Sequence, residues 1–163
     1  MRYADGPSVE VETHVDAPPA VVWALISDVT VPALFSSELQ EVTPVDATTF
    51  RGRNRHPAAG EWETTCTIVT NEPEATFEWA VGDPDNPSAR WRFSMERDAT
   101  GTRLRQWMRL GPAPSGLTRA IAAMPDKEER IVARRVEEHR VNMEATVEGI
   151  RRLAEERAAG GDR

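Results

Sequence analysis

In the last third of the chain, Val132, Val136, His139, Met143, Val147, Ile150 and Ala154 recur at steps of three and four. That spacing marks one buried face of an α-helix and predicts a single long helix over residues 126–158. Arg134, Glu137, Arg140, Glu144, Glu148 and Arg151 fall largely on the other sides and read as solvated. One polar side chain, His139, sits in the middle of the apolar stripe.

Upstream the period falls to two, the mark of half-buried strands. Residues 8–15 place Val9, Val11, Thr13 and Val15 on one face and Glu10, Glu12 and His14 on the other. Asp16-Ala-Pro-Pro then opens a helix over 20–28, with Asp16 as its cap, a proline in its first turn, and Val21, Val22, Leu25 and Ile26 inward. A second short helical piece is expected over 30–37, entered through Pro32.

Strands follow over 39–46, 49–56, 60–71, 75–81, 88–98 and 102–110. On these, Trp62, Thr64, Cys66 and Ile68 share a face, as do Phe77, Trp79 and Val81, and Trp91, Phe93 and Met95. In the last strand Leu104, Gln106, Met108 and Leu110 alternate with Arg103, Arg105, Trp107 and Arg109. A bulge there would reverse the faces and bring Trp107 inside. A tight turn is expected at Asp46-Ala47-Thr48, and Gly82-Asp-Pro-Asp-Asn-Pro reads as a loop. Short turns imply an antiparallel meander.

The segment from Gly111 to Pro125 is irregular, with a short apolar helix near its end. It reads equally as a lid over a cavity mouth and as a connector on the sheet edge. No repeat or linker divides the chain, so one domain is expected over 8–158, with 1–7 and 159–163 as flexible termini.

At 163 residues the chain is long enough for a sizeable core. Its net charge of −7 argues against nucleic-acid binding, which needs a basic footprint. The opening residues lack the apolar core of a signal peptide and no apolar run is long enough to cross a membrane, so a cytoplasmic protein without integral membrane association is expected. The single cysteine permits no intrachain disulfide. His14, His56 and His139 show no metal-ligand spacing, and no phosphate loop, dinucleotide fingerprint or nucleophile elbow is present. No metal or cofactor is expected.

The candidate chemistry lies on the inward set. Trp62, Trp79, Trp91, Met108 and Met143 offer a large aromatic and adaptable lining, which is also what a filled core would use. His139 is the first candidate for a polar role, either as a ligand contact or as a general acid/base, and the sole catalytic candidate. The competing reading is a core histidine satisfied by its neighbours. Gln106 is a second polar residue at an inward position. Cys66 is inward too and reads as a buried, inert thiol. Arg51, Arg53, Arg55 and His56 cluster on one strand, where a solvated face outweighs an anion-binding rim.

The opening VEVETHVDAPPAVVWALISD, the later WETTCTIVTNEPEATFEW, and the Gly101-Thr-Arg-Leu strand followed by the long helix resemble the SRPBCC superfamily, which includes START lipid-transfer domains and polyketide cyclase/dehydrases. The resemblance covers about residues 8–153. It implies an α+β helix-grip fold: a curved antiparallel sheet of seven strands around the C-terminal helix, with two short helices after the first strand and a deep apolar cavity. Because that scaffold hosts carriers, cyclases and other activities, it fixes function weakly.

The leading expectation is binding of a small hydrophobic molecule, aromatic, polyketide-like or lipid-like, for carriage or sequestration. Trp62, Cys66, Trp79, Trp91, Gln106, Met108, His139 and Met143 are the candidate ligand contacts. One alternative is a polyketide cyclase/aromatase with His139 as acid/base, against which the inward face offers few ionisable groups. Another is a protein-interaction module with a filled cavity, using Trp107 and the irregular segment. A monomer or weak dimer is expected.

Overall fold

The computed structural model describes residues 1–160. Strand β1 (Ser8–Val15) leads into helix α1 (Pro19–Ile26) and a 3-10 turn at Val31–Leu34. A meander follows: β2 (Leu39–Pro44), β3 (Thr49–His56), β4 (Gly60–Glu72), β5 (Thr76–Asp83), β6 (Asn86–Arg97) and β7 (Thr102–Leu110). Helix α2 (Gly116–Ala123) and a 3-10 turn (Pro125–Lys127) precede the 33-residue helix α3 (Glu128–Gly160). The seven strands form one antiparallel sheet in the order β1-β7-β6-β5-β4-β3-β2. The helix-grip architecture expected from the resemblance is thus present.

Most sequence-read elements fall within two residues of their expected bounds, and the departures have local causes. Asp16 does not cap α1. The helix begins at Pro19 without a side-chain cap, and the Asp16 carboxylate instead meets His14 Nε2 at 2.8 Å. The loop expected over 82–87 is a tight hairpin, in which the Asp83 side chain accepts the Asp85 amide at 2.9 Å and a bulge at Val81/Gly82 sets Pro87 opposite Gly82. The bulge accommodates a proline that a regular ladder would reject. Helix α3 begins two residues later than expected because Pro125 opens a 3-10 turn first.

Residues 1–7, expected to be a loose terminus, are anchored. Tyr3 is buried and its hydroxyl donates to the Ala113 carbonyl at 2.6 Å. At the other end, residues 159 and 160 continue α3, and residues 161–163 lie outside the described residues.

Helix α3 packs chiefly on β1 and α1. Its buried face holds Val132, His139, Met143, Val147, Ile150 and Ala154 as the periodicity requires, with Thr146 and Gly149 in addition. Gly149 admits the ring of Phe35: a Cβ there would lie 2.2 Å from Phe35 Cδ1. The main core joins Leu25, Ile26, Phe93, Leu104, Met108, Met143 and Ile150 beneath α1 and α3.

The opposite face of the sheet is charged. Arg105 reaches Glu12 and Glu96 at 2.9 and 3.1 Å, Arg90 reaches Glu78 at 2.7 Å, and Arg92 lies 4.3 Å over the Trp107 ring. Trp107 is therefore outside and Gln106 inside. Strand β7 keeps an unbroken register with both neighbours, so no bulge reverses its faces.

Candidate functional site

Two buried clusters flank the concave face. The larger is the main core under α1 and α3, and the smaller consists of Val42, Phe50 and Cys66 under Val29 and Ala33. Trp79 packs against both. The inward alternation of β5 and β6 sets Trp79 and Trp91 side by side, that of β4 sets Trp62 four residues beyond Cys66, and all three are only half-buried. Large apolar side chains facing inward yet reached by solvent are not sealed into either cluster, and this half-open stretch of the concave face is the candidate cleft.

The floor of that cleft is aromatic. Trp79 and Trp91 are neighbours across β5 and β6, with ring centroids 6.4 Å apart and planes 11° from parallel. Phe93 and Phe50 lie 6.0 and 5.9 Å from Trp79. Helix α3 supplies the opposite wall, where His139 sets its ring against Trp91 at 5.2 Å and 81°. His139 is 8% exposed. Burial first, then the neighbouring Arg135 guanidinium and the His56 ring, push its pKa down to about 3. The ring is therefore neutral at ordinary pH.

Two polar contacts tie this part of α3 to the far side of the sheet. Arg135 Nη1 donates to Glu38 Oε2 at 2.9 Å, and both side chains are largely buried. His56 Nε2 lies 2.5 Å from Glu138 Oε2. His56 therefore parts company with Arg51, Arg53 and Arg55, which stand on the outer face, while its own side chain turns to α3. Arg135, Glu38 and Glu138 escaped the sequence reading because their partners lie 97 and 82 residues away. The available signal was position: Arg135 stands one helical turn before His139, so the two share a face.

The other expected contacts divide. Gln106 faces inward opposite Phe93 and Val11, is 3% exposed, and leaves its Oε1 without a hydrogen-bond partner. Met108, opposite Trp91, and Met143, one turn beyond His139, are sealed in the main core and back the cleft. Cys66 belongs to the smaller cluster, beyond Trp79, and burial pushes its thiol up to about 11. Thr64 and Asn54, half-buried on the inner face of β4 and β3, were not singled out from sequence as contacts.

The irregular segment shows the connector of its two expected readings. Its start is fixed to β6, with the amides of Gly111 and Ala113 donating to the carbonyls of Ser88 and Pro87 at 2.8 and 3.0 Å. Helix α2 then lies on α3 with no fully buried residue, though Leu117 and Ile121 pack against the core. Two surface depressions, of about 700 Å³ beside residues 125–130 and about 330 Å³ beside residues 97–101, are lined by other residues and do not border the aromatic floor. Among the described residues no three potential metal ligands converge, and no helix is long and apolar enough to cross a membrane.

Residues 6–155 match the family described as polyketide cyclase/dehydrase and lipid transport. No curated protein matches the chain. The solution structure of the polyketide-cyclase-like protein Cgl2372 from Corynebacterium glutamicum is similar, at 28% identity over 91% of each chain and a TM-score of 0.61. DR_A0006 from Deinococcus radiodurans shares 14% identity over 94% of this chain and 99% of its own, with a TM-score of 0.63. The di-domain ARO/CYC protein StfQ from the steffimycin biosynthetic pathway aligns at 14% identity and a TM-score of 0.70, over 93% of this chain and 51% of its own. At such low identity the last two speak for the fold alone.

Proposed function

The chain belongs to the polyketide cyclase/dehydrase and lipid transport family, and we propose that this member binds a small, largely apolar aromatic or polyketide-like molecule in the cleft between α3 and the concave sheet, as a carrier or sequestering protein. The observation that carries this reading is the half-buried state of Trp62, Trp79 and Trp91 on the inward face, with Trp91 against His139. A flat ligand laid on the near-parallel indoles would remove apolar surface from water on both sides of the contact. Covering on the order of 200 Å² is worth about 5 kcal/mol at ~25 cal/mol per Å², which lies between millimolar and micromolar affinity before polar contacts are added.

A cyclase reading is the alternative, since related folds include the ARO/CYC proteins StfQ and BexL. Cyclisation needs a group that exchanges a proton near neutral pH. His139, with its pKa near 3, is a weak base and holds no proton to give at pH 7. That weighs toward binding without turnover.

Titration with Nile red, an uncharged aromatic dye that brightens in apolar surroundings, tests the reading. Saturable enhancement is expected, weakened about tenfold or more in Trp91→Ala. No saturable response from the folded wild-type protein would contradict it.

A further inference from the structure

We propose that His14 is a proton-operated clasp: as an imidazolium held between Asp98 and Asp16, it fastens the β1–α1 elbow to the β6–β7 turn, and loss of its proton lets the two part. This is independent of the ligand-binding reading above.

The two bonds set the charge. His14 Nδ1 lies 2.6 Å from Asp98 Oδ2, and Nε2 lies 2.8 Å from Asp16 Oδ1. An ionised carboxylate only accepts, so both ring nitrogens must carry hydrogen, and that species is the imidazolium. A neutral ring has one N–H and can serve one carboxylate alone, leaving the other to face a lone pair. Thr100 Oγ1 stands 3.1 Å from Nε2, so its hydroxyl can donate to that nitrogen in place of the Asp16 contact once the proton leaves.

The clasp joins three elements. Asp98 shapes the β6–β7 turn: its Oδ1 accepts the Thr100 amide at 3.1 Å, and its own amide donates to the Gly101 carbonyl at 3.0 Å. Asp16 lies in the elbow between β1 and α1, and its amide donates to Glu155 Oε1 of α3 at 3.1 Å. Uncharged contacts hold the same elements behind the clasp. The Thr102 hydroxyl donates to the Ala17 carbonyl at 2.8 Å, and Gly101 lies so close to Val15 that a Cβ would sit 2.2 Å from the Val15 carbonyl oxygen. Release is therefore confined to residues 16–18 and 98–101, which line the surface depression of about 330 Å³.

The surrounding charges favour the shut clasp. Glu12 shares the outer face of β1 with His14, and Arg103 stands opposite on β7 with Glu96 beyond it on β6. Arg103 and Arg105 are turned to Glu12 at 3.7 and 2.9 Å, Arg105 also meets Glu96 at 3.1 Å, and Arg151 holds Glu155 at 2.6 Å. Arg97 is exposed on the rim of the depression. Hydrogen bonds to Asp16 and then to Asp98 hold the His14 pKa above its ordinary value against the cost of burial. The clasp is thus complete below the ordinary value and opens as pH rises through the raised one.

Nitrogen-15 NMR of the imidazoles tests this, with His14→Gln identifying the His14 signals. At pH 6.5, where an ordinary histidine is half protonated, the His14 ring should be predominantly protonated at both nitrogens. Its titration midpoint should lie above 6.5 and fall towards it in Asp16→Asn and in Asp98→Asn. Hydrogen exchange at the Asp16 and Thr100 amides, corrected for the intrinsic effect of pH, should speed up severalfold through that midpoint in wild type and show no such step in His14→Gln. A midpoint at or below 6.5, a midpoint unmoved by both asparagine variants, or exchange without a step at the midpoint would overturn the proposal.

Discussion

The imidazole of His139 meets the indole of Trp91 edge to face, with centroids 5.2 Å apart and planes at 81°. This contact joins the long helix to the aromatic floor at the point where the cleft is half open. Edge-to-face pairs contribute about 0.5–1.5 kcal/mol beyond the area they bury. His139→Ala removes the pair and leaves a void beside Trp91, so unfolding free energy should fall by about 1–3 kcal/mol. His139→Phe keeps the ring contact and should recover most of the loss. Urea denaturation of the two variants measures both; equal losses would show that the ring contact contributes nothing.

Acid should weaken the fold in a window that belongs to His139. Its folded pKa of about 3 lies below the ordinary 6.5, so the unfolded chain takes up a proton that the native state refuses. Stability is therefore full above pH 6.5 and falls as pH drops, by about 1.4 kcal/mol per unit once well inside the window. Carboxylates whose folded values are lowered, such as Asp98 and Glu148, join only below their ordinary range near pH 4. His14 has the opposite sign: hydrogen bonds to Asp16 and Asp98 raise its pKa, so its contribution is complete by pH 6.5 and is lost only as pH rises. Between pH 6.5 and 4.5 wild type should lose about 2 kcal/mol, and His139→Phe should lose little. Parallel pH profiles would exclude this assignment.

Gly149→Ala should destabilise the protein although alanine is the better helix former. The added methyl would meet the Phe35 ring at 2.2 Å, and that ring fixes the 3-10 turn after α1 onto α3. Overpacking of this kind costs about 1–3 kcal/mol net, against roughly 1 kcal/mol gained in propensity. A fall of several degrees in Tm is expected; an unchanged or higher Tm would mean that Phe35 moves aside freely.

Cys66 should resist thiol reagents. Its side chain is 3% exposed within the cluster of Val42 and Phe50, and burial raises its pKa to about 11. Ellman's reagent at pH 8 should report almost no thiol in native protein and one per chain in denaturant. Rapid native labelling would show that the small cluster opens readily.

The helix-grip architecture was legible because period 3.6 in the last helix and period 2 in the strands recur over many residues, and β3 and β7 keep their expected bounds. Inward placement of Trp79, Trp91 and Gln106 followed from alternation alone. The hairpin at Asp83–Asn86 was missed because two prolines and a glycine signal a loop in sequence, whereas a side-chain turn and a bulge close it in space. The pairs Arg135–Glu38 and His56–Glu138 were missed because local pattern carries no information on partners more than eighty residues apart. Whether Trp62, Trp79 and Trp91 fill a core or border a cleft depends on how far α3 stands from β4 and β5, a distance set by its seat on β1 and α1. The alternation within those strands is the same in either case.

The most direct test of the binding cleft is native mass spectrometry of freshly purified protein, set beside its denatured spectrum. A folded species heavier than the chain by one small molecule, lost on denaturation and in Trp91→Ala, is the predicted result, and the mass difference would identify the ligand class. A wild-type protein that stays at the bare chain mass, even after incubation with excess 2-naphthol, would contradict the account.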